Sequence, residues 1–270
     1  MSGKPRIAAV SYLNTTPLVW GMMHGPQRGC FDLDFCTPSE CAQRVEAGLC
    51  DLGIVPVMEM RRQGLKFIPG TGIACRGAVR SILLVSKVDP RRIRTLATDS
   101  GSRTSVMLSR VILRERYGAS PAVWPHDPDL EAMLEQADAA LLIGDAALRV
   151  DPAALSYASL DLGAEWESLT GLPMVFALWA GEPAAVERLE QSGAGDALAG
   201  SLAWGRARMD EIVATESRAR EFDPDLVRSY LTRFIVFDIG PRELAGLNEF
   251  FRLASSLEAQ PFDSTQTVSV

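Results

Sequence analysis

The sequence predicts an α/β protein of two lobes with a cleft between them. Short β-rich runs alternate with helical stretches over the first ninety residues, and the same alternation restarts on a smaller scale after Asp89-Pro90. Two extended apolar runs, SILLVSK (81–87) and MVFALWA (174–180), stand between these groups and are read as two crossing strands. Alternating β and α segments build sheets covered by helices, and ligands of such folds collect where strand C-termini meet helix N-termini. The expected lobes are 1–88 completed by 180–270, and 89–179.

Each element has a local justification. Arg6 to Val10 is apolar and β-rich, and Thr16-Pro17 opens a helix. Phe31 to Thr37 alternates like a strand. Thr37-Pro38-Ser39-Glu40 then supplies an N-cap, a first-turn proline and a capping-box glutamate for a helix that Gly48 stops. Leu52 to Val55 is a short buried strand ended by Pro56, and Arg80 to Ser86 is another, so the sheet is expected to be mostly parallel. In the second group Thr95 to Thr98 reads as a strand and Ser105 to Tyr117 as an amphipathic helix closed by Gly118. Ala139 to Ile143 is a buried strand ending at Gly144-Asp145. After Met174 to Trp179 the chain reads as helical, with starts at Asp223-Pro224 and Gly240-Pro241, and the tail from Pro261 reads as frayed.

Composition narrows the function classes. With 270 residues, 47% hydrophobic and 23% charged, the chain is long enough to bury a core without disulfide or metal support. A net charge of −7 opposes phosphate-backbone binding, so no nucleic-acid partner is expected. The five cysteines form no CxxC pair and read as small buried thiols of a reducing compartment. No secretory signal or membrane-spanning run is legible, and a cytoplasmic protein with no membrane partner is expected.

Four places carry candidate chemistry. Ser11-Tyr12-Leu13-Asn14 follows the first strand; its polar residues read first as caps of a strand-to-helix turn, and a functional reading needs a cleft in which the Asn14 amide both donates and accepts. Asp99 to Ser105 contains Ser102, Arg103, Thr104 and Ser105 at a helix start, where free N–H groups and the helix dipole favour an anion. Ser81 enters an apolar run, and a buried hydroxyl there needs a partner. Gly144-Asp145 ends a strand, where the acid serves as helix cap or as substrate contact. His24 and His126 have no second ligand at metal spacing and read as surface residues, while Trp166 and Trp179 read as packing residues. GxSxG and HExxH are both missing from the sequence.

Several segments together resemble the MqnA family of chorismate dehydratases of menaquinone biosynthesis by the futalosine route. They are VSYLNTTPL (10–18), GIVPV (53–57), RSILLVSK (80–87), SGSRTSVMLSRVIL (100–113), ALLIGDAAL (140–148) and DLGAEWESLTGLPMVFALWA (161–180). The resemblance implies a periplasmic-binding-protein-like fold of type II. It also implies dehydration of chorismate to 3-[(1-carboxyvinyl)oxy]benzoate with no metal or organic cofactor. By motif match it places Asn14 and Ser81 beside the reacting ring. Ser11, Tyr12, Ser102, Arg103, Thr104 and Ser105 then hold substrate, and Gly144 and Asp145 line the cleft.

A neutral Asn is no general base near pH 7, and Ser needs a partner to take its proton. The matched motifs contain no His or Cys, and the resemblance assigns no residue to that role, so the base is expected to be a carboxylate of the substrate itself. Two alternatives stay open: the sister enzyme that cleaves cyclic dehypoxanthine futalosine to 1,4-dihydroxy-6-naphthoate, and a non-catalytic protein that binds a small anion.

Overall fold

In a computed structural model, residues 3–99 and 102–259 are described. The chain opens with β1 (Arg6–Val10), a single 3-10 turn at Leu13–Thr15 and α1 (Thr16–His24). β2 (Asp32–Cys36), α2 (Pro38–Glu46), β3 (Leu52–Pro56), α3 (Val57–Gln63) and β4 (Lys66–Cys75) follow. The expected capping box of α2 is formed, with Thr37 N donating to Glu40 Oε2 at 2.8 Å and Glu40 N donating to Thr37 Oγ1 at 3.3 Å.

The second group holds β5 (Ile82–Ser86), β6 (Thr95–Asp99), α4 (Arg103–Tyr117), β7 (Ala122–His126), α5 (Leu130–Gln136), β8 (Ala139–Ile143), α6 (Gly144–Arg149), β9 (Ala158–Asp161) and α7 (Leu162–Thr170). The chain then returns as β10 (Met174–Gly181), α8 (Pro183–Gln191), α9 (Ala194–Arg206), α10 (Met209–Arg220) and α11 (Pro224–Ser229). A π-helical turn at Tyr230–Phe234, β11 (Val236–Ile239) and α12 (Pro241–Glu258) complete it.

These strands form two sheets, ordered β11-β4-β10-β3-β1-β2 and β7-β6-β8-β5-β9. The apolar runs flank the passages between them. β5 begins just after the chain enters the second sheet at 76–81, and β10 just after it returns to the first through α7. Neither sheet is mostly parallel, contrary to expectation. β1 runs parallel to β2 and β3, and β6 to β7 and β8, but β10 is antiparallel to β3 and β4, as is β11 to β4 and β5 to β8 and β9. For β5 and β10 the cause is the route: a strand that comes from the other sheet enters from the opposite end and reverses direction.

Two other expectations change. The C-terminal third is interrupted by β11, and Cys30 is exposed while Cys36, Cys41, Cys50 and Cys75 are buried. Trp166 and Trp179 are fully buried, as expected of packing residues. The Trp166 indole donates to the Pro173 carbonyl at 3.0 Å and meets Phe250 edge-on at 5.8 Å. No helix among the described residues is long and apolar enough to cross a membrane. The tail from Pro261, and Ser100 and Gly101 of the anion-site candidate, lie outside the described residues.

Candidate functional site

Four chain segments converge between the two sheets. The first leaves β1: Tyr12 is still extended, and the 3-10 turn that follows sets Asn14 beside it at the strand's C-terminal end. Backbone closure of this turn, from Thr15 N to Tyr12 O at 3.0 Å, holds both side chains over the sheet.

The second segment is the passage into β5. Val79 and Arg80 donate their backbone N–H groups to Asp161, at 2.9 and 2.6 Å for the shorter contacts. Arg80 sits at φ +66°, left-handed backbone that an arginine adopts only when its surroundings enforce it. Its guanidinium does so, donating to the carbonyls of Ala147 and Val150 at 3.0 and 2.5 Å. Ser81 is thereby fixed, with its own carbonyl accepting from Gly144 N at 2.8 Å.

Gly144 is the third element. It stands at φ +56°, and a Cβ there would lie 2.8 Å from the Tyr12 ring, so only glycine lets the aromatic face close against the end of β8. The fourth is α4, whose N-cap Ser102 accepts from Ser105 N at 3.4 Å. Ser102 and Ser105 face the same cleft as Tyr12, Asn14, Ser81 and Gly144, together with Val10, Ile54, Ile73, Val79, Phe176 and other apolar groups. The cleft encloses about 530 Å³ of empty space including its mouth. Among the described residues that line it there is no Asp, Glu, His, Lys or Arg.

Sequence reasoning placed Asn14 and Ser81 here without showing what joins them. The joint is Tyr230, 1% exposed, at the start of the π-helical turn. Its hydroxyl donates to Ser81 Oγ at 2.9 Å and accepts from Asn14 Nδ2 at 3.1 Å. Burial pushes the Tyr230 phenol well above its usual range, and the charge of Asp145 adds to the shift. Tyr12 is raised for the same first reason, with Asp99 and Asp145 contributing. Asn14 Oδ1 is buried and has no hydrogen-bond partner among the described residues.

Other candidates sit close by but spend their polar groups elsewhere. Ser11 gives its hydroxyl to the Cys36 carbonyl at 3.3 Å. Thr104 accepts from Met58 N at 3.2 Å, tying the first turn of α4 to α3. Arg103 pairs with Glu59 at 2.6 Å and lines an adjoining cavity, which shares Ser102 with the cleft, beside Arg62, Arg110 and Trp124. Asp145 accepts from Leu13 N at 3.1 Å and from the Arg220 guanidinium, which also holds Glu216. Both of its oxygens are thus engaged within the chain. His24 meets the Trp20 ring at a tilt of 49° with centroids 4.3 Å apart, and His126 lies at the end of β7 against the Asp127 carbonyl; neither is among the described residues lining the cleft.

Tyr230 and Arg220 had no signal in the sequence. Each comes from the helical C-terminal third, and only tertiary packing brings Tyr230 behind Asn14 and Ser81 and Arg220 against Asp145.

Comparison with known proteins agrees with this architecture. Residues 5–256 match the family described as menaquinone biosynthesis. A chorismate dehydratase of Thermus thermophilus is 28% identical over 240 residues, covering 83% of this chain and 85% of that protein. Among solved structures, a protein of Archaeoglobus fulgidus superposes with a TM-score of 0.72 at 16% identity, covering 95% of this chain and 98% of its own. The periplasmic aliphatic sulphonate binding protein of Escherichia coli gives 0.65 at 14% identity, covering 96% and 87%. The fold is therefore of the periplasmic-binding-protein kind, which by itself assigns no reaction.

Proposed function

The chain belongs to the menaquinone-biosynthesis family, and from that premise we propose that it is a lyase that dehydrates chorismate to 3-[(1-carboxyvinyl)oxy]benzoate. The observation that carries this reading is the cleft's neutrality. Two polar side chains from distant segments meet at Tyr230, and no acid or base stands among the described lining residues. The likeness to the Thermus thermophilus enzyme supports the choice of substrate.

A neutral cleft suits a reaction that supplies its own base and driving force. Loss of the ring hydrogen on the ether-bearing carbon and of the neighbouring hydroxyl makes the ring aromatic. The two ring oxygens of chorismate are trans, so that hydrogen and that hydroxyl leave from the same face. The enolpyruvyl carboxylate takes the proton, the C–H electron pair becomes the new ring double bond, and the C–O bond breaks. The same carboxyl group then returns its proton to the departing oxygen, releasing water.

In this reading the protein's contribution is position. Asn14 and Ser81 hold the carboxylate and the leaving hydroxyl together, and Ser102 with Ser105 at the N-terminus of α4 receives the other carboxylate. Net charge does not oppose this, because distant carboxylates are screened over about 8 Å at physiological ionic strength.

The test is incubation of purified protein with chorismate, following loss of the cyclohexadiene absorbance and identifying the product. Turnover to the enolpyruvyl benzoate supports the proposal. Tight binding without turnover would mean a binding protein instead, and turnover of cyclic dehypoxanthine futalosine alone would mean the sister activity.

A further inference from the structure

We propose that Tyr230 is a positioning residue that fixes the direction of hydrogen bonding in the cleft, making Ser81 the donor to the ligand and Asn14 the acceptor from it. The inference rests on the chorismate reading and goes beyond it, because it assigns which ligand group each side chain meets.

The direction follows from proton counting. A phenol carries one proton and remains both a donor and an acceptor. Asn14 turns its amide nitrogen to the Tyr230 oxygen at 3.1 Å, so that oxygen is already receiving a proton. The phenol's own proton then goes to Ser81 Oγ at 2.9 Å. Ser81, having accepted, keeps its hydroxyl proton for the cleft. Asn14, having donated on one side, is left with a buried carbonyl oxygen and no partner among the described residues. Burial keeps the phenol protonated across the working range, so the chain of bonds does not lose its middle proton.

The cleft therefore asks for a ligand with a proton to give beside an anionic oxygen. A ring hydroxyl next to a carboxylate meets both demands. With its hydrogen held by Asn14 Oδ1, the ring hydroxyl presents a lone pair to the carboxyl group that must protonate it. The aromatic product has lost this hydroxyl, so it leaves Asn14 Oδ1 unpaired in a buried place, which weakens its hold. Substrate discrimination and product release then share one cause.

The test compares wild type, Tyr230→Phe, Ser81→Ala and the double variant, using chorismate and the product 3-[(1-carboxyvinyl)oxy]benzoate as probes. Wild type is expected to hold the product at least about tenfold more weakly than chorismate, the scale of one buried unpaired group. Without the Tyr230 hydroxyl the Asn14 amide is free to rotate. Tyr230→Phe should then lower kcat by about ten- to hundredfold, with KM changed less than about threefold, while the product inhibits more tightly than in wild type. Ser81→Ala removes both the acceptor of the phenol proton and the donor to the ligand's carboxylate, so it should weaken chorismate and product alike while narrowing the gap between them, and that gap carries the test if Tyr230→Phe does not fold.

The double variant should lose little beyond the worse single one, since both act through one chain of bonds. Wild-type kcat in Tyr230→Phe, product inhibition weakened in step with kcat, or losses that multiply in the double variant would overturn the assignment. If wild type does not turn over chorismate, the proposed reaction falls, and the direction of bonding is read from calorimetric affinities of the two probes. An unchanged affinity gap in Tyr230→Phe, or no binding of either probe to wild type, overturns it as well.

Discussion

Asn14 faces Tyr230 with its nitrogen and leaves its oxygen without a partner among the described residues, a choice that matters because the described residues lining the cleft carry no charge to compensate an error. Asn14→Asp replaces the donor by a carboxylate next to a buried phenol and a dianionic ligand. Like charges in a poorly solvated cleft repel strongly. The variant is expected to lose at least about a hundredfold in kcat/KM, on the order of 3 kcal/mol, read from the chorismate assay; retained wild-type kinetics would remove Asn14 from the mechanism. The candidacy of Asn14 and Ser81 came from the motif match, because a polar residue after a strand reads first as a turn cap and one inside a strand needs only a buried partner. Their partner was not legible. Tyr230 lies 216 residues from Asn14 in the chain, inside a helical run that gives no hint which tyrosine turns inward.

At the scale of elements, Asp161 does more than cap α7. Its carboxylate accepts from Gly163 N and Ala164 N at 2.9 and 3.1 Å, and from Val79 N and Arg80 N at the passage into β5. Asp161→Ala removes a cap and frees the strained turn ahead of Ser81. Thermal or denaturant unfolding is expected to show a loss of about 2 kcal/mol or more, accompanied by reduced turnover; unaltered stability would contradict this role. Glu243 performs a similar junction at α12, accepting from Gly240 N at 3.1 Å and from Arg76 at 2.8 Å. Its burial favours the neutral acid, but the Arg76 contact and the backbone N–H groups outweigh it and hold its pKa below the usual carboxylate value. The group binds its proton less readily folded than unfolded. Its contribution is therefore complete above the unfolded value of about 4.3 and is lost as pH falls through the lower folded value. Glu243→Gln should reduce stability by about 1–3 kcal/mol at pH 7 and remove part of the acid sensitivity, which denaturant titration at pH 7 and pH 3 measures.

Strand and helix starts with capping residues, such as Thr37-Pro38-Ser39-Glu40 and Gly240-Pro241, were readable because their chemistry is local. The α4 start was misplaced at Ser105, because Arg103 and Thr104 already belong to the helix and Ser102 caps it. β4 carries Pro69 and two glycines, residues that argue against a strand, and its ladder to β10 has register shifts. β11 is only four residues long, too short for alternation to stand out from the helices around it. Strand direction was not readable at all, since it depends on the route between sheets rather than on any residue.

On the scale of the whole molecule, the two sheets are tied across the cleft by Asp145, which reaches from α6 to the Leu13 N–H and to Arg220 on α10. Asp145→Ala cuts both bonds while leaving the cleft lining intact. Small-angle scattering is expected to report a larger radius of gyration for the unliganded variant than for wild type, and the assay a raised KM; identical scattering curves would deny the latch. Above this clasp stands the claim that the cleft positions a substrate which brings its own base. The pH dependence of kcat for chorismate tests it most directly. Since the described lining residues carry no ionisable groups except tyrosine, and the Tyr12 pKa is raised, kcat should stay level from about pH 6 to about pH 10 and fall only where substrate carboxylates are protonated. A limb with an apparent pKa between about 6 and 9 would reveal a histidine, cysteine or lysine doing the proton transfer and would contradict the account.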